Sequence, residues 1–172
     1  MKKTDELSRP YNLLISNGYS EKQFVKNYGK DLFEKLRKEA FALDNGRCAG
    51  CGHEPPDDRK DECLFFHIYE VNDLNPELSK GTTLCKMCHM TQHIDAAIKK
   101  NWVSFVNSIY DQNNIIRLIR GNQIYNSIQN RAIVQLSKPP EQFLKDFYAG
   151  DLKFTSTLKV VFNNNFNIDD LY

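Results

Sequence analysis

Apolar residues recur at helical spacing early in the chain and alternate with polar ones near its middle, so the pattern changes period from helix to strand. Residues 5–17 read as a short helix, interrupted at Pro10 and ending near Asn17-Gly18. Ser20, with Gln23 three positions on, forms a capping box that opens a helix carrying Phe24 and Tyr28 one turn apart. Asp31 is expected to cap a second helix, LFEKLRKEAFAL, whose Leu32, Leu36, Ala40 and Leu43 make an apolar stripe. Asn45-Gly46 ends that helix, and GHEPPDDRKDE is a connection rich in turn residues. Cys63–Val71, CLFFHIYEV, is aromatic and branched and reads as a strand. Alternation sets Cys63, Phe65, His67 and Tyr69 on one face, with Leu64, Phe66, Ile68 and Glu70 on the other. After the polar loop Asn72–Gly81 come a short strand, Thr82-Thr83-Leu84, and a helix from Cys88 to about Lys100.

Downstream, helical spacing is read at Trp102, Phe105, Val106 and Ile109, again over Ile115–Ile119 before Gly121, and from Ile124 to Leu136 before Pro139-Pro140. Glu141–Ala149 reads as a further helix, closed by Gly150, and the stretch from Phe154 to Phe162 favours strand. The tail NNNFNIDDLY is Asn-rich and acidic; it is either poorly ordered or docks on a partner. The pattern predicts an α+β fold: N-terminal helices over 1–39, a cysteine-bearing core over 40–100, and a helical extension with a terminal strand and tail over 101–172.

Composition narrows the class. A length of 172 residues suits one domain, or a small core domain with a helical extension, and an apolar fraction of 41% with a charged fraction of 26% suits an ordinary core. No apolar run approaches the roughly 20 residues of a membrane span, and MKKTDELSRP lacks the apolar region and cleavage site of a signal peptide. The expectation is a reducing, cytoplasmic location without membrane attachment. The net charge of +1 conceals an uneven distribution. Residues 1–85 hold 13 Lys/Arg against 15 Asp/Glu, residues 86–140 hold seven against two, and residues 141–172 hold three against five. Between Gln112 and Pro140 there is no acidic residue. Lys99, Lys100, Arg117, Arg120 and Arg131 lie in the basic stretch and would attract a polyanion such as nucleic acid; the alternative is a solvated helix face.

The chemistry concentrates in two short segments. Cys48-Ala49-Gly50-Cys51 and Cys85-Lys86-Met87-Cys88 are CxxC knuckles whose nearer cysteines are 34 positions apart, a spacing that fits four thiolates around one structural Zn²⁺. His53, two residues past Cys51, is the candidate substitute for a thiolate, and the fifth cysteine, Cys63, reads as a small buried hydrophobe. His89 follows the second knuckle and His93 lies four residues on, so a helix there would aim both imidazoles at one point.

Taken together, LDNGRCAGCG, FFHIYEV and GTTLCKMCHMTQH resemble the HNH endonucleases of the ββα-metal superfamily, over about residues 40–100. The resemblance implies a small zinc-stapled ββα core with helical extensions on either side. It implies that His67 is the general base, and that His89 and, in some branches, His93 ligate a catalytic divalent cation such as Mg²⁺. It implies metal-dependent hydrolysis of phosphodiester bonds in DNA. A neutral imidazole suits that role, because its ordinary pKa lets it take a proton from water near pH 7. The chain departs from the family at two positions: Phe66 stands where an Asp or His ligand is usual, and Lys80 where an Asn braces the loop. Glu70, Asn72 and Asp73 are the candidate substitutes for the missing ligand. Those departures favour the alternative, a zinc module that kept the fold without the chemistry and binds nucleic acid, another protein or a second copy of itself.

Overall fold

The computed structural model describes residues 11–149 and 157–167. Among them the chain is mixed α+β, with eight α-helices and two small antiparallel sheets, and it divides into two compact units. No helix among the described residues is long and apolar enough to cross a membrane. The parts of the expected elements that fall at 5–10, 150–156 and 168–172 lie outside the described residues.

The first unit begins with α1 (Glu21–Tyr28) and α2 (Lys30–Leu43). Ser20 stands at the N-cap of α1, but its side chain makes no capping hydrogen bond, so the expected capping box does not close. Asp31 lies inside the first turn of α2 and does not cap it. Gly29 takes both the end of α1 and the start of α2 at φ +92°, a conformation that disfavours any residue with a Cβ. Phe24, Phe33, Leu36 and Ala40 then bury one apolar face with Phe66 and Ile68. Phe33 carries more of that contact than the expected stripe, because Leu43 is exposed at the helix end. Its ring meets both Phe24 and Phe66.

After α3 (Lys60–Cys63), β1 (Leu64–Glu70) pairs antiparallel with β2 (Lys80–Cys85), and α4 (Lys86–Gln92) follows directly. β2 starts two residues earlier than expected, because Lys80 pairs with Glu70 both in register and through an ion pair at 3.0 Å. The pairing sets His67 opposite Thr82 and Phe66 opposite Thr83. Gly81 is required here: a Cβ at this position would stand 2.2 Å from the Phe66 ring, so only a glycine lets that ring lie across the partner strand. Asp44, buried just beyond α2, accepts the Thr83 N–H at 2.8 Å and the Thr82 hydroxyl at 3.3 Å, tying the helix end to β2.

The second unit is a three-stranded sheet in the order β4–β3–β5, with β3 (Val103–Ser108) central, β4 (Ile133–Gln135) on one side and β5 (Leu158–Phe162) on the other. Val103, Phe105, Leu158 and Val160 pack with α5 (Ile94–Lys99) and α8 (Pro140–Ala149). Val106 and Val161 point the other way, into α6 (Gln112–Arg120) and α7 (Ile124–Gln129). Trp102–Ile109 is therefore not the expected helix, and residues 133–135 of the expected Ile124–Leu136 helix are strand. Each of those segments has a sheet partner that outweighs its local period. Residues 11–17 are likewise not helical: the Leu13 N–H donates to Asn113 Oδ1 and the Ser16 N–H to the Thr91 carbonyl. The open edge of β5 is satisfied by a side chain, since the buried Gln112 amide donates to the Val160 carbonyl and accepts its N–H, both at 2.9 Å.

Asp44→Ala leaves the Thr83 N–H without its charged acceptor, so urea denaturation is expected to show a loss of about 2 kcal/mol, with Asp44→Asn losing less. Equal stability of wild type and Asp44→Ala would refute the tie between α2 and β2.

Candidate metal centre

Two local structures bring the cysteines together. In the first knuckle the Gly52 N–H donates to the Cys48 carbonyl at 2.8 Å, with Gly52 at φ +80°, and the Cys51 N–H points at Cys48 Sγ at 3.5 Å. The Ala49 N–H donates to the Thr83 carbonyl at 2.8 Å, fastening this knuckle to β2. In the second, Cys85 ends β2 and Cys88 lies in the first turn of α4. All four cysteines are buried, and their sulfurs lie within 4.8 Å of one another. The Cys51 and Cys85 sulfurs are 3.8 Å apart. A regular tetrahedron with Zn–S arms of about 2.3 Å has edges of about 3.8 Å, so the donor set fits Zn²⁺.

Electrostatics support the same reading. Burial pushes the Cys48 and Cys88 thiols well above their ordinary value, whereas the Cys51 thiol is lowered, chiefly by its hydrogen bond with Cys48. Buried thiolates need a positive partner to remain charged, and a divalent cation supplies it. Cys63 is buried at the end of α3 and is not part of the group, as its apolar neighbours suggest. His53 is not part of it either; its carbonyl accepts the Cys48 N–H at 2.9 Å.

The histidines form a second group. His67 is 2% exposed on β1, and its ring lies 5.5 Å from that of His89 on α4, edge to face. The Phe65 ring stacks on His89 at 5.4 Å, so Phe65 and His67 share the face of β1 that strand alternation assigns them. The chain runs on from His89 through the last turn of α4 to His93, which lies in the second unit. The helix is not continuous, however. It ends at Gln92, His93 has φ −122° and ψ 54°, and α5 begins at Ile94. The Thr91 carbonyl accepts the Ser16 N–H at 3.2 Å, and His93 bridges Asn17, which draws the backbone out of helical geometry. Burial lowers the His93 pKa against the opposing effect of Asp95, which keeps the ring neutral and able to donate a lone pair at pH 7.

No carboxylate joins this group among the described residues. Phe66 packs on Phe33 and Gly81, on the other face of β1 from His67. Each candidate substitute has another role: Glu70 pairs with Lys80, Asp73 accepts the Tyr28 hydroxyl, and Asn72 Oδ1 accepts the Asn75 N–H at 2.9 Å. The basic residues all lie beyond α4. Lys99 and Lys100 end α5, with the Lys100 ammonium 4.3 Å over the Trp102 ring. Arg117 and Arg120 are one turn apart on α6, and Arg131 follows α7 at φ 60°.

Asp44 was not evident as part of this centre from sequence. Its one signal is its position immediately before the Asn45-Gly46 turn, where a short carboxylate can reach a neighbouring strand. Comparison of the chain with protein-family models, with curated proteins and with solved structures finds no match in any of the three.

Elemental analysis of the purified protein is expected to give zinc in a one-to-one ratio. Cys85→Ser should deplete it and lower the melting temperature, while Cys63→Ser leaves it intact. Protein without tightly held zinc, or equal depletion by the two variants, would exclude the centre.

Proposed function

We propose that the chain is a metal-dependent endonuclease of the HNH type, hydrolysing phosphodiester bonds in DNA. The observation that carries this reading is the His67–His89 ring pair, held on a strand and the helix that follows it, both anchored to the four-cysteine group. A hairpin stapled beside a helix is the arrangement expected of a ββα-metal core. In it, His67 is the group that takes a proton from the attacking water, and burial fixes its ring against rotation. His89, stacked on Phe65, and His93, neutral through burial, are the nitrogens that would hold a divalent cation. A bound Mg²⁺ or similar ion supplies charge neutralisation on the phosphate and on the departing oxygen. Arg117, Arg120, Arg131, Lys99 and Lys100 would hold the phosphate backbone, which positions a strand without reading its sequence.

A second reading rests on the all-histidine composition of that group. With Phe66 turned into the core and no carboxylate beside the rings, the chain would be a zinc module that binds nucleic acid or a protein without cutting.

Nicking of supercoiled plasmid in Mg²⁺, Mn²⁺ or Ni²⁺ decides between them. Removal of a general base is expected to slow cleavage about 100-fold or more in His67→Ala, with the folded state retained. Background nicking that is the same for both proteins in every metal would discard the enzyme in favour of the binding module.

A further inference from the structure

The second unit has a concave site of its own. A cleft of about 310 Å³ is lined by Tyr110, Asn114, Arg117, Leu118 and Gln123. Its size is at the small end of ligand sites, which run from about 300 Å³ upward. Its chemistry is mixed in a particular way: one aromatic face, two carboxamides able to donate and accept at once, one guanidinium and one aliphatic side chain. Tyr110 is 36% exposed, and it is its backbone N–H that is anchored, donating to Ser108 Oγ at 3.1 Å. Arg117 Nη1 donates to Asn114 Oδ1 at 2.8 Å, so these two side chains are set in a common orientation on adjacent turns of α6.

The surroundings select the ligand's charge. From Gln112 to Pro140 the chain has no acidic residue, and Arg117, Arg120 and Arg131 fall within that stretch. The nearest preceding carboxylate, Asp111, acts electrostatically on Lys159. The exposed Tyr125 and Asn126 on α7 extend the same aromatic and amide character beyond the cleft. An aromatic face, amides and arginine in an acid-free concavity suit a flat heterocycle attached to a phosphate.

We infer that this cleft binds one unpaired nucleobase of a single-stranded nucleic acid, with the base on Tyr110, its polar edge against Asn114 and Gln123, and the adjoining phosphate at Arg117. A base within a duplex is stacked on both sides and cannot enter such a concavity, so the site is selective for single strands. The inference shares with the proposed function only the premise that the chain meets nucleic acid; it requires no cleavage.

The test is fluorescence anisotropy with a labelled oligothymidylate, the corresponding oligouridylate and a DNA duplex, using protein carrying His67→Ala so that nothing is cut. Tyr110→Leu is expected to weaken single-strand binding about 5- to 150-fold, the range for one base stacked on an aromatic ring, while duplex binding stays within about twofold. Tyr110→Phe should retain the wild-type affinity. Arg117→Ala should weaken both kinds of strand and reduce the salt slope by about one ion. Stronger binding of the thymidylate or of the uridylate tells DNA from RNA as the source of the strand, and a Tyr110-dependent loss on either supports the site. Tyr110→Leu binding single strands as wild type does, losing single strand and duplex equally, or a parent protein that binds none of the three probes would overturn it. Loss of nicking in His67→Ala with Tyr110-dependent binding intact upholds both readings. Absence of nicking in wild type, with that binding intact, removes the enzyme alone.

Discussion

Convergence of Cys48, Cys51, Cys85 and Cys88 within 4.8 Å closes the segment between the two knuckles, and the remainder of the first unit depends on that closure. Loop-closure entropy rises only slowly with length, so a segment of this size costs little more to close than a shorter one. The closing interaction must nevertheless be strong, because the segment it encloses holds few apolar side chains outside β1. Sulfurs spaced for a tetrahedral cation meet that need, whereas four neutral buried thiols would contribute little beyond their own burial. The knuckles are also joined without metal, through the Ala49 N–H on the Thr83 carbonyl and through Asp44 on Thr82 and Thr83. These bonds fix where the first knuckle meets β2, so the donor geometry is set by the backbone before any ion is considered.

The second constraint is the two-sidedness of β1. A strand presents alternate residues to opposite faces, and a slip of one residue exchanges them. Here the exchange is blocked by Phe66. Phe66 lies over Gly81, a position that no other residue type tolerates, and its ring edge meets Phe33. That contact leaves His67 on the opposite face toward His89. Phe66 is thus the residue that sets the register of the histidine beside it. A carboxylate at residue 66 would be buried among Phe24, Phe33 and Ile68 and would not join the ring nitrogens.

What the sequence conveyed and what it withheld follow one physical division. The faces of β1, the helices α2, α6 and α8 and the burial of Cys63 were legible because each depends on neighbours a few residues away, and the cysteine group because two CxxC knuckles mark it over a separation of 34 positions. Val103–Ser108 was misread because Trp102, Phe105, Val106 and Ile109 happen to fall at helical spacing. Their state is decided by partners at 133–135 and 158–162, which no local window contains. The break at His93 has the same origin: the Thr91 carbonyl bonds Ser16, some 75 residues earlier in the chain. The roles of Asp44 and Gln112 were at most weakly marked for a related reason. Each is a polar side chain that replaces a strand as hydrogen-bond partner, and nothing in composition marks such a residue.

Charge argues for a division of labour along the chain. Residues 1–85 carry more acidic than basic side chains, so the first unit offers a polyanion no net attraction, however well its histidines are placed. Attraction on the scale that nucleic acid requires comes from several cations acting together, each releasing a counterion, and the chain places those cations beyond α4. Any chemistry at His67 would therefore be rate-setting without being affinity-setting, while the arginines of α6 would be the reverse. The exposed aromatic and amide side chains belong with the second group, because a phosphate contact holds a strand without distinguishing its bases. If the chain meets nucleic acid as proposed, Tyr110, Asn114 and Gln123 would be where discrimination between strands enters, and the histidine group would be indifferent to it.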